Sequence, residues 1–105
     1  MSSVYELSKL VEFSSHRILK KDILKAHGFN LALVCLDSGQ VIPPHMEGYD
    51  AAFLVLDGEG VFTVGEEEIV AGKGSIVMSP KEKLRGIKSV SRLSLLGIRE
   101  ETQNK

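Results

Sequence analysis

The chain has 105 residues, 13 of them basic and 14 acidic, which gives a formal net charge of -1. A chain of this length forms one domain with one modest hydrophobic core. The nearly balanced charge creates no long-range field that would attract nucleic acid or an anionic membrane surface, so we expect neither as a partner.

Cysteine usage and the apolar runs bear on the cellular compartment. Cys35 is the only cysteine and lies in an apolar run, which predicts a buried thiol in a reducing compartment. The N-terminal residues show no basic region followed by an apolar stretch, and the longest apolar runs, such as 51–56, are too short to cross a bilayer. We therefore expect a cytoplasmic protein.

The first third of the chain mixes weak and strong signals. Residues 3–10 suit one or two helical turns capped by Ser3, with a strand through 11–13 as an equal alternative. Residues 15–20 read as a polar edge strand. Residues 29–36 are almost wholly apolar and predict a long, buried strand.

The remaining elements are short strands separated by turns. The next strand begins at 41–42, and Pro43 and Pro44 place it at a sheet edge because proline cannot donate a ladder hydrogen bond. Further strands are predicted at 51–56, 60–64, 67–70, 75–78, 84–90 and 92–99. Asp57-Gly58 and Gly65-Glu66 predict hairpin turns. About eight or nine short strands without long helical patterns predict an all-β sandwich or barrel.

The spacing of residues 39–58 resembles a known motif. Gly39 is followed by five residues, His45, one residue, Glu47, three residues, Ala51, six residues and Gly58. This spacing is similar to the first motif of the cupin superfamily, which has a second His where this chain has Glu47 and a Glu where it has Ala51. The glycines and the first histidine match, whereas two metal-ligand positions do not.

A second pattern lies further along the chain. Gly74 is followed by five residues and Pro80, and then by Glu82, Arg85 and Ser89 at the spacing of the second cupin motif. That motif has Gly, His and Asn at these last three positions. The resemblance therefore holds for the turn residues, while an arginine replaces the family's histidine ligand.

The resemblance covers residues 39–89 and implies the fold. We expect an RmlC-like, all-β, double-stranded β-helix or jelly-roll barrel, with one domain over residues 1–105 and its barrel core at about 29–99. Small cupins commonly dimerise, so the resemblance also implies a homodimer.

The resemblance further implies a metal site, which this chain has altered. In cupins three imidazoles and a carboxylate inside the barrel bind Mn, Fe, Ni or Zn. Here only His45 and Glu47 remain as ligands, since Ala51 cannot ligate and Arg85 brings a permanent positive charge. Asp50 would reach the inner face only through a bulge. A divalent metal on His45 and Glu47 is one alternative.

The same residues have two other uses. Arg85 either forms an ion pair with Glu47 across the barrel mouth or binds an anionic ligand through its guanidinium fork. With an anion bound, His45 would be a hydrogen-bonding partner or a general acid/base, and Tyr49 would add a hydroxyl. We therefore predict a small-molecule-binding barrel without a cofactor, a sensor or accessory protein, with His45, Glu47, Tyr49 and Arg85 at the mouth. The alternative is a metal-dependent dioxygenase or isomerase with an atypical site.

Overall fold

The computed structural model describes residues 3–101, which form two antiparallel sheets around one core. The strands are β1 Leu19–Lys25, β2 Phe29–Leu36, β3 Val41–Met46, β4 Ala51–Asp57, β5 Glu59–Val64, β6 Glu67–Gly72, β7 Ile76–Ser79, β8 Leu84–Ser89 and β9 Leu93–Glu100. The five-stranded sheet has the order β1-β2-β9-β4-β7, and the four-stranded sheet has the order β3-β8-β5-β6. Within the described residues no helix has the length and apolarity needed to span a membrane.

The core fills one end of the barrel. Alternate residues of each strand point inward because the side-chain period of a strand is two. Leu36, Leu93 and Val55 of the five-stranded sheet meet Phe62 and Ile87 of the four-stranded sheet, and none of these side chains is more than 5% exposed. Burying each of these larger side chains stabilises the fold by about 1.5–3 kcal/mol. The cluster therefore holds the two sheets together at this end.

The prediction of an all-β fold is confirmed, and β2 has the predicted bounds. Strand β3 is an edge strand of its sheet, as the two prolines indicated. The register of β3 against β8 shifts between Ile42 and His45, because Pro43 and Pro44 have no N–H to donate. The shift lets Ile42 and His45 both line the barrel interior, although they are three residues apart.

The predictions for the N-terminal region are wrong in detail. A single 3₁₀ turn, Leu7–Lys9, has Glu6 as its N-cap without a side-chain capping bond, so Ser3 caps nothing. No strand forms at 11–13, and the first strand starts at Leu19 rather than Ser15. Contacts with the rest of the fold determine the structure of this region, which lies against the outer face of the five-stranded sheet.

The N-terminal segment covers the β1 and β2 part of that outer face through a lysine of β1. Lys21 Nζ donates hydrogen bonds to the carbonyl of Leu10 at 2.8 Å and to Glu12 Oε1 at 2.9 Å. Lys21 is paired with Leu33 of β2, which is fully buried, as is the neighbouring Cys35 on the same face. The predicted burial of the Cys35 thiol is therefore confirmed.

The Asp57-Gly58 turn is not the predicted hairpin. It joins β4 to β5, which lie in different sheets, so the chain crosses here from one sheet to the other. Gly58 has φ +89°, and a Cβ on it would lie 1.9 Å from the carbonyl oxygen of Arg92. The crossing therefore requires glycine, both for its left-handed backbone and for the close approach of a second chain segment.

A second strained position lies in the loop between β7 and β8. Among the described non-glycine residues only Glu82 has a positive φ, at +65°. Its N–H donates to the carbonyl of Glu47 at 2.9 Å, which joins this loop to the one between β3 and β4. A side chain in the left-handed region costs about 1–2 kcal/mol, so this loop carries strain at the position where the cupin motif has glycine.

We expect Gly58→Ala to lower the free energy of unfolding by about 2–4 kcal/mol, because the added methyl group overlaps the Arg92 carbonyl in a strained conformation. Urea unfolding followed by circular dichroism measures the loss. Gly74→Ala is the matched control, since Gly74 has φ +87° but no atom within 4 Å of its Cβ position. The control should lose only about 1–2 kcal/mol. Equal losses in the two variants would contradict the requirement for close approach.

We expect Glu82→Gly to raise the free energy of unfolding by about 0.5–1 kcal/mol. Relief of the left-handed strain, about 1–2 kcal/mol, exceeds the entropy that glycine adds to the unfolded chain, about 0.4–1 kcal/mol. The same urea experiment measures the gain. Glu82→Ala keeps the Cβ and should show no comparable gain; a gain of similar size there would assign the effect to the carboxylate instead of the backbone.

Candidate functional site

The end of the barrel opposite the core contains a cavity of about 380 Å³. This volume lies in the range of small-molecule sites, about 300–1,000 Å³. Its inner wall is apolar and includes Val34, Phe53 and Ile87. The four predicted ligand-binding residues all line this cavity: His45, Glu47, Tyr49 and Arg85.

Local structure explains why these side chains meet. His45 lies near the end of β3 and is paired directly with Arg85 of β8, so the two side chains share one face of the four-stranded sheet. Glu47 and Tyr49 follow in the turn that leads from β3 to β4. The spacing of two between His45, Glu47 and Tyr49, together with the pairing of His45 with Arg85, therefore places all four at the mouth.

Arg85 is the buried cation of the site, with 5% of its surface exposed. Its Nη2 donates to the carbonyls of Tyr49 at 2.5 Å, Ser79 at 3.1 Å and Pro80 at 3.4 Å. Its Nε is buried and has no hydrogen-bond partner. One part of the guanidinium thus binds the two loops at the mouth, while its Nε–H stays unsatisfied.

The ion pair between Arg85 and Glu47, one of the sequence alternatives, is not formed. Glu47 Oε2 instead lies 3.1 Å from His45 Nε2, and His45 Nδ1 lies 3.0 Å from the carbonyl oxygen of Pro43. Carboxylate and carbonyl oxygens only accept hydrogen bonds, so each ring nitrogen of His45 faces an acceptor.

Tyr49 contributes its ring to the site, where the sequence pointed to its hydroxyl. The guanidinium carbons of Arg85 and Arg99 lie 5.0 and 5.4 Å from the centre of the Tyr49 ring. Such cation–π contacts stabilise by about 0.5–2 kcal/mol each. Within residues 3–101 neither guanidinium forms an ion pair with a carboxylate. The ring therefore brings two uncompensated cations to one mouth.

The cavity is more positive than the chain as a whole. Four basic side chains line it, Lys20, Lys25, Arg85 and Arg99, against the two acidic side chains of Asp22 and Glu47. The difference is a formal charge of +2, whereas the complete chain has -1. A concave site of one sign with apolar walls focuses its field on ligands of the opposite sign.

Two cavity residues, Asn30 and Arg99, were not identified from the sequence. Asn30 is 8% exposed and donates from Nδ2 to Glu101 Oε1 at 2.5 Å, while its Oδ1 is buried without a partner. Arg99 lies on β9, paired with both Asn30 and Ala51. Asn30 could have been found as a single amide within an otherwise apolar strand. Arg99 could have been found because it occupies an inward-facing position of the last strand.

The residues present do not fit a cupin-type metal centre. His45 and Glu47 contact each other, Ala51 has no donor atom in its side chain, and Arg85 occupies the sequence position where the cupin motif has a histidine ligand. The described part of the chain contains no group of three His, Cys, Asp or Glu side chains placed to hold a metal ion. A dication at this mouth would meet the fixed charge of Arg85 without enough ligands to offset it.

Three solved structures have closely similar folds. TT1209 from Thermus thermophilus is 26% identical over 94% of this chain and 97% of its own, with a TM-score of 0.87. An RmlC-like cupin protein from Desulfovibrio desulfuricans is 23% identical over 95% and 97% of the two chains, with a TM-score of 0.84. A cupin superfamily protein from Desulfitobacterium hafniense is 22% identical over 91% and 88%, with a TM-score of 0.83. These likenesses support the double-stranded β-helix fold.

Sequence comparison assigns the family. No curated protein matches this chain significantly. The family model described as the cupin domain matches residues 32–97, well over half of the chain and both of the spaced motifs. With the two facing antiparallel sheets and the cavity at one end of the barrel, this match shows that the chain belongs to the cupin family.

Proposed function

We propose that this cupin binds a small anionic molecule in its barrel mouth without a metal ion. The observation that carries the proposal is the buried guanidinium of Arg85, which lines the cavity and has an unpartnered Nε. A buried donor without a partner costs about 1–3 kcal/mol, and an anionic oxygen would remove that cost. Carboxylate and phosphate oxygens match the fork of a guanidinium group.

The surroundings of Arg85 support an anion over a cation or a neutral ligand. Arg99 approaches the same Tyr49 ring and has no acidic partner in the described chain. The lining as a whole carries a formal excess of two positive charges. Both features raise the local concentration of anions and strengthen their binding in a partly desolvated site.

Binding, rather than catalysis, is the role that the side chains favour. The only histidine in the described lining, His45, has both ring nitrogens against acceptor oxygens, so it is not arranged as a general base. We therefore propose that this protein is a sensor or accessory protein that recognises a ligand. The single unpaired cysteine, buried in β2, is compatible with a reducing, cytoplasmic setting.

The binding test uses 3-phenylpropanoate as an anionic probe in a ¹H–¹⁵N chemical-shift titration, in buffer with EDTA. We expect Arg85→Gln to weaken binding at least tenfold, because the buried cation is lost. Arg99→Gln should weaken binding severalfold without touching the loop carbonyls that Arg85 holds, so it decides the matter if Arg85→Gln does not fold.

Arg17→Gln is the matched control, since Arg17 is exposed and lies outside the cavity. It should bind the probe as the wild-type protein does. Binding that appears only after Zn²⁺ or Mn²⁺ is added would contradict the metal-free proposal, as would wild-type affinity in both cavity variants.

We also propose a homodimer that uses the outer face of the five-stranded sheet. Ile76 and Met78 of its edge strand β7 are 70% and 51% exposed. They are paired with Leu54 and Ala52 of β4, so the apolar surface extends over two strands. Large exposed apolar side chains on adjacent strands are typical of a surface that a partner covers.

Light scattering after size-exclusion chromatography tests the dimer. We expect the wild-type protein to have the mass of a dimer, and the Ile76→Glu/Met78→Glu variant to have that of a monomer, because burying two carboxylates in an apolar interface is unfavourable. Val70→Glu is the control, since Val70 is 64% exposed but lies on the other sheet. A wild-type monomer, or an equal effect of the control, would refute this interface.

A further inference from the structure

A second residue that lines the cavity, Asn30, has a buried polar atom without a partner, its Oδ1. We infer that the ligand is an elongated amphipathic acid, an inference that rests on the proposed anion site. Its anionic group binds Arg85, its apolar body lies along the cavity wall, and an O–H or N–H group at its far end donates to Asn30. Asn30 is thus assigned as a specificity-determining residue.

The contact between Asn30 and Glu101 fixes the orientation of the Asn30 amide. Nδ2 of Asn30 lies 2.5 Å from Glu101 Oε1. An ionised carboxylate only accepts hydrogen bonds, so the NH₂ group must face Glu101 and the oxygen must face the other way. Glu101 is itself held by its N–H, which donates to the carbonyl of Gly28 at 2.9 Å. The Asn30 oxygen is therefore a fixed acceptor that faces away from Glu101, on a residue that lines the cavity.

The acceptor and the cation lie on different sides of the cavity. Asn30 is paired with Arg99, Arg99 with Ala51, and Ala51 with Ser79, whose carbonyl binds Arg85. Three steps between neighbouring strands correspond to about 14 Å of backbone separation, which the inward-pointing side chains shorten. An elongated acid matches such a separation better than an ion as small as acetate or inorganic phosphate.

The wall between the two ends suits an apolar body. One inward position deeper, the paired residues are Ala32, Gly97 and Phe53 on β2, β9 and β4. Gly97 has no side chain, and a Cβ there would lie 3.4 Å from the Phe53 ring. The ring of Phe53, the small side chain of Ala32 and the bare backbone of Gly97 form an apolar surface on which a hydrocarbon chain or an aromatic ring can pack.

The charges near Asn30 do not reverse this orientation. Lys25 is paired with Asn30 across β1 and β2 and also lines the cavity, but it is exposed to solvent. Arg99 is paired with Asn30 across β2 and β9, but its guanidinium lies over the Tyr49 ring, beside that of Arg85. Arg85 is buried, and an ion pair in a desolvated site is stronger than one at an exposed lysine. The anionic end is therefore assigned to Arg85 and the donor end to Asn30.

The test compares two probes of equal shape, 3-(4-hydroxyphenyl)propanoate and 3-(4-methylphenyl)propanoate, by chemical-shift titration. Only the first has a donor at its far end. We expect the wild-type protein to bind the hydroxyl probe about five- to tenfold more tightly, the range of one hydrogen bond to a buried, otherwise unsatisfied group. In Asn30→Leu this preference should disappear while the methyl probe keeps its affinity, which also shows that the variant is folded.

Glu101→Gln provides a second variant that leaves Asn30 in place. A glutamine can accept or donate, so it no longer forces the Asn30 oxygen toward the cavity, and the preference should fall to about twofold or less. This variant decides the matter if Asn30→Leu does not fold.

The outcomes separate this inference from the proposed function. Equal binding of both probes by the wild-type protein, with both lost in Arg85→Gln, would overturn the donor end and leave the anion site standing. A hydroxyl preference that persists in Asn30→Leu would also overturn the role of Asn30. Failure of both probes to bind the wild-type protein would overturn the elongated acid and the proposed binding of carboxylates together.

Discussion

The guanidinium of Arg85 lies inside the barrel mouth, and the geometry of the mouth depends on how its charge is satisfied. Burying a cation is unfavourable unless polar groups surround it. Here the carbonyls of Tyr49, in the loop after β3, and of Ser79 and Pro80, at the end of β7 and in the loop that follows, supply that environment. The need to solvate one buried charge therefore draws the loop after β3 and the loop after β7 together. The same charge is what an anionic ligand would meet.

Placing arginine at this position changes the role of its neighbours. Glu47 does not reach Arg85 and pairs with His45 at the rim. The short side chain of Ala51 lies in the strand next to Ser79, one of the residues whose carbonyls bind Arg85, and takes little space there. His45 keeps the residue of the cupin motif, whereas Glu47, Ala51 and Arg85 replace its other metal ligands. Glu47 now pairs with His45, and Arg85 binds backbone carbonyls beside Ala51.

Local sequence patterns predicted the strands better than the connections between them. The apolar run of β2 and the prolines of β3 act within a few residues, and both predictions hold. Asp57-Gly58 has the chemistry of a hairpin turn, yet β4 pairs with β9, whose residues come more than thirty positions later, as in the pair Ala52 and Ile98. No local signal contains that pairing. A tight turn sets the direction of the chain, while long-range pairing decides which sheet it enters.

The site shows the same limit at the level of side chains. Motif spacing brought His45, Glu47, Tyr49 and Arg85 to one mouth because strand period and register carry that information. Which of them would pair was not encoded in spacing, since Arg85 bonds to backbone carbonyls that any sequence provides. Asn30 was hidden for a related reason: its partner, Glu101, lies 71 residues away.

Unfavourable features of the described chain collect at one end of the barrel. The end with Leu36 and Leu93 is tightly packed, whereas the mouth carries the left-handed Glu82 and the unpartnered buried atoms of Arg85 and Asn30. Each such feature costs about 1–3 kcal/mol, a large share of the roughly 5–15 kcal/mol that stabilises a domain. If the mouth only closed the barrel, glycine and apolar side chains would serve better at these positions. The concentration of strain and unmet hydrogen bonds beside the cavity is therefore itself an argument that this end of the protein is built to receive a ligand.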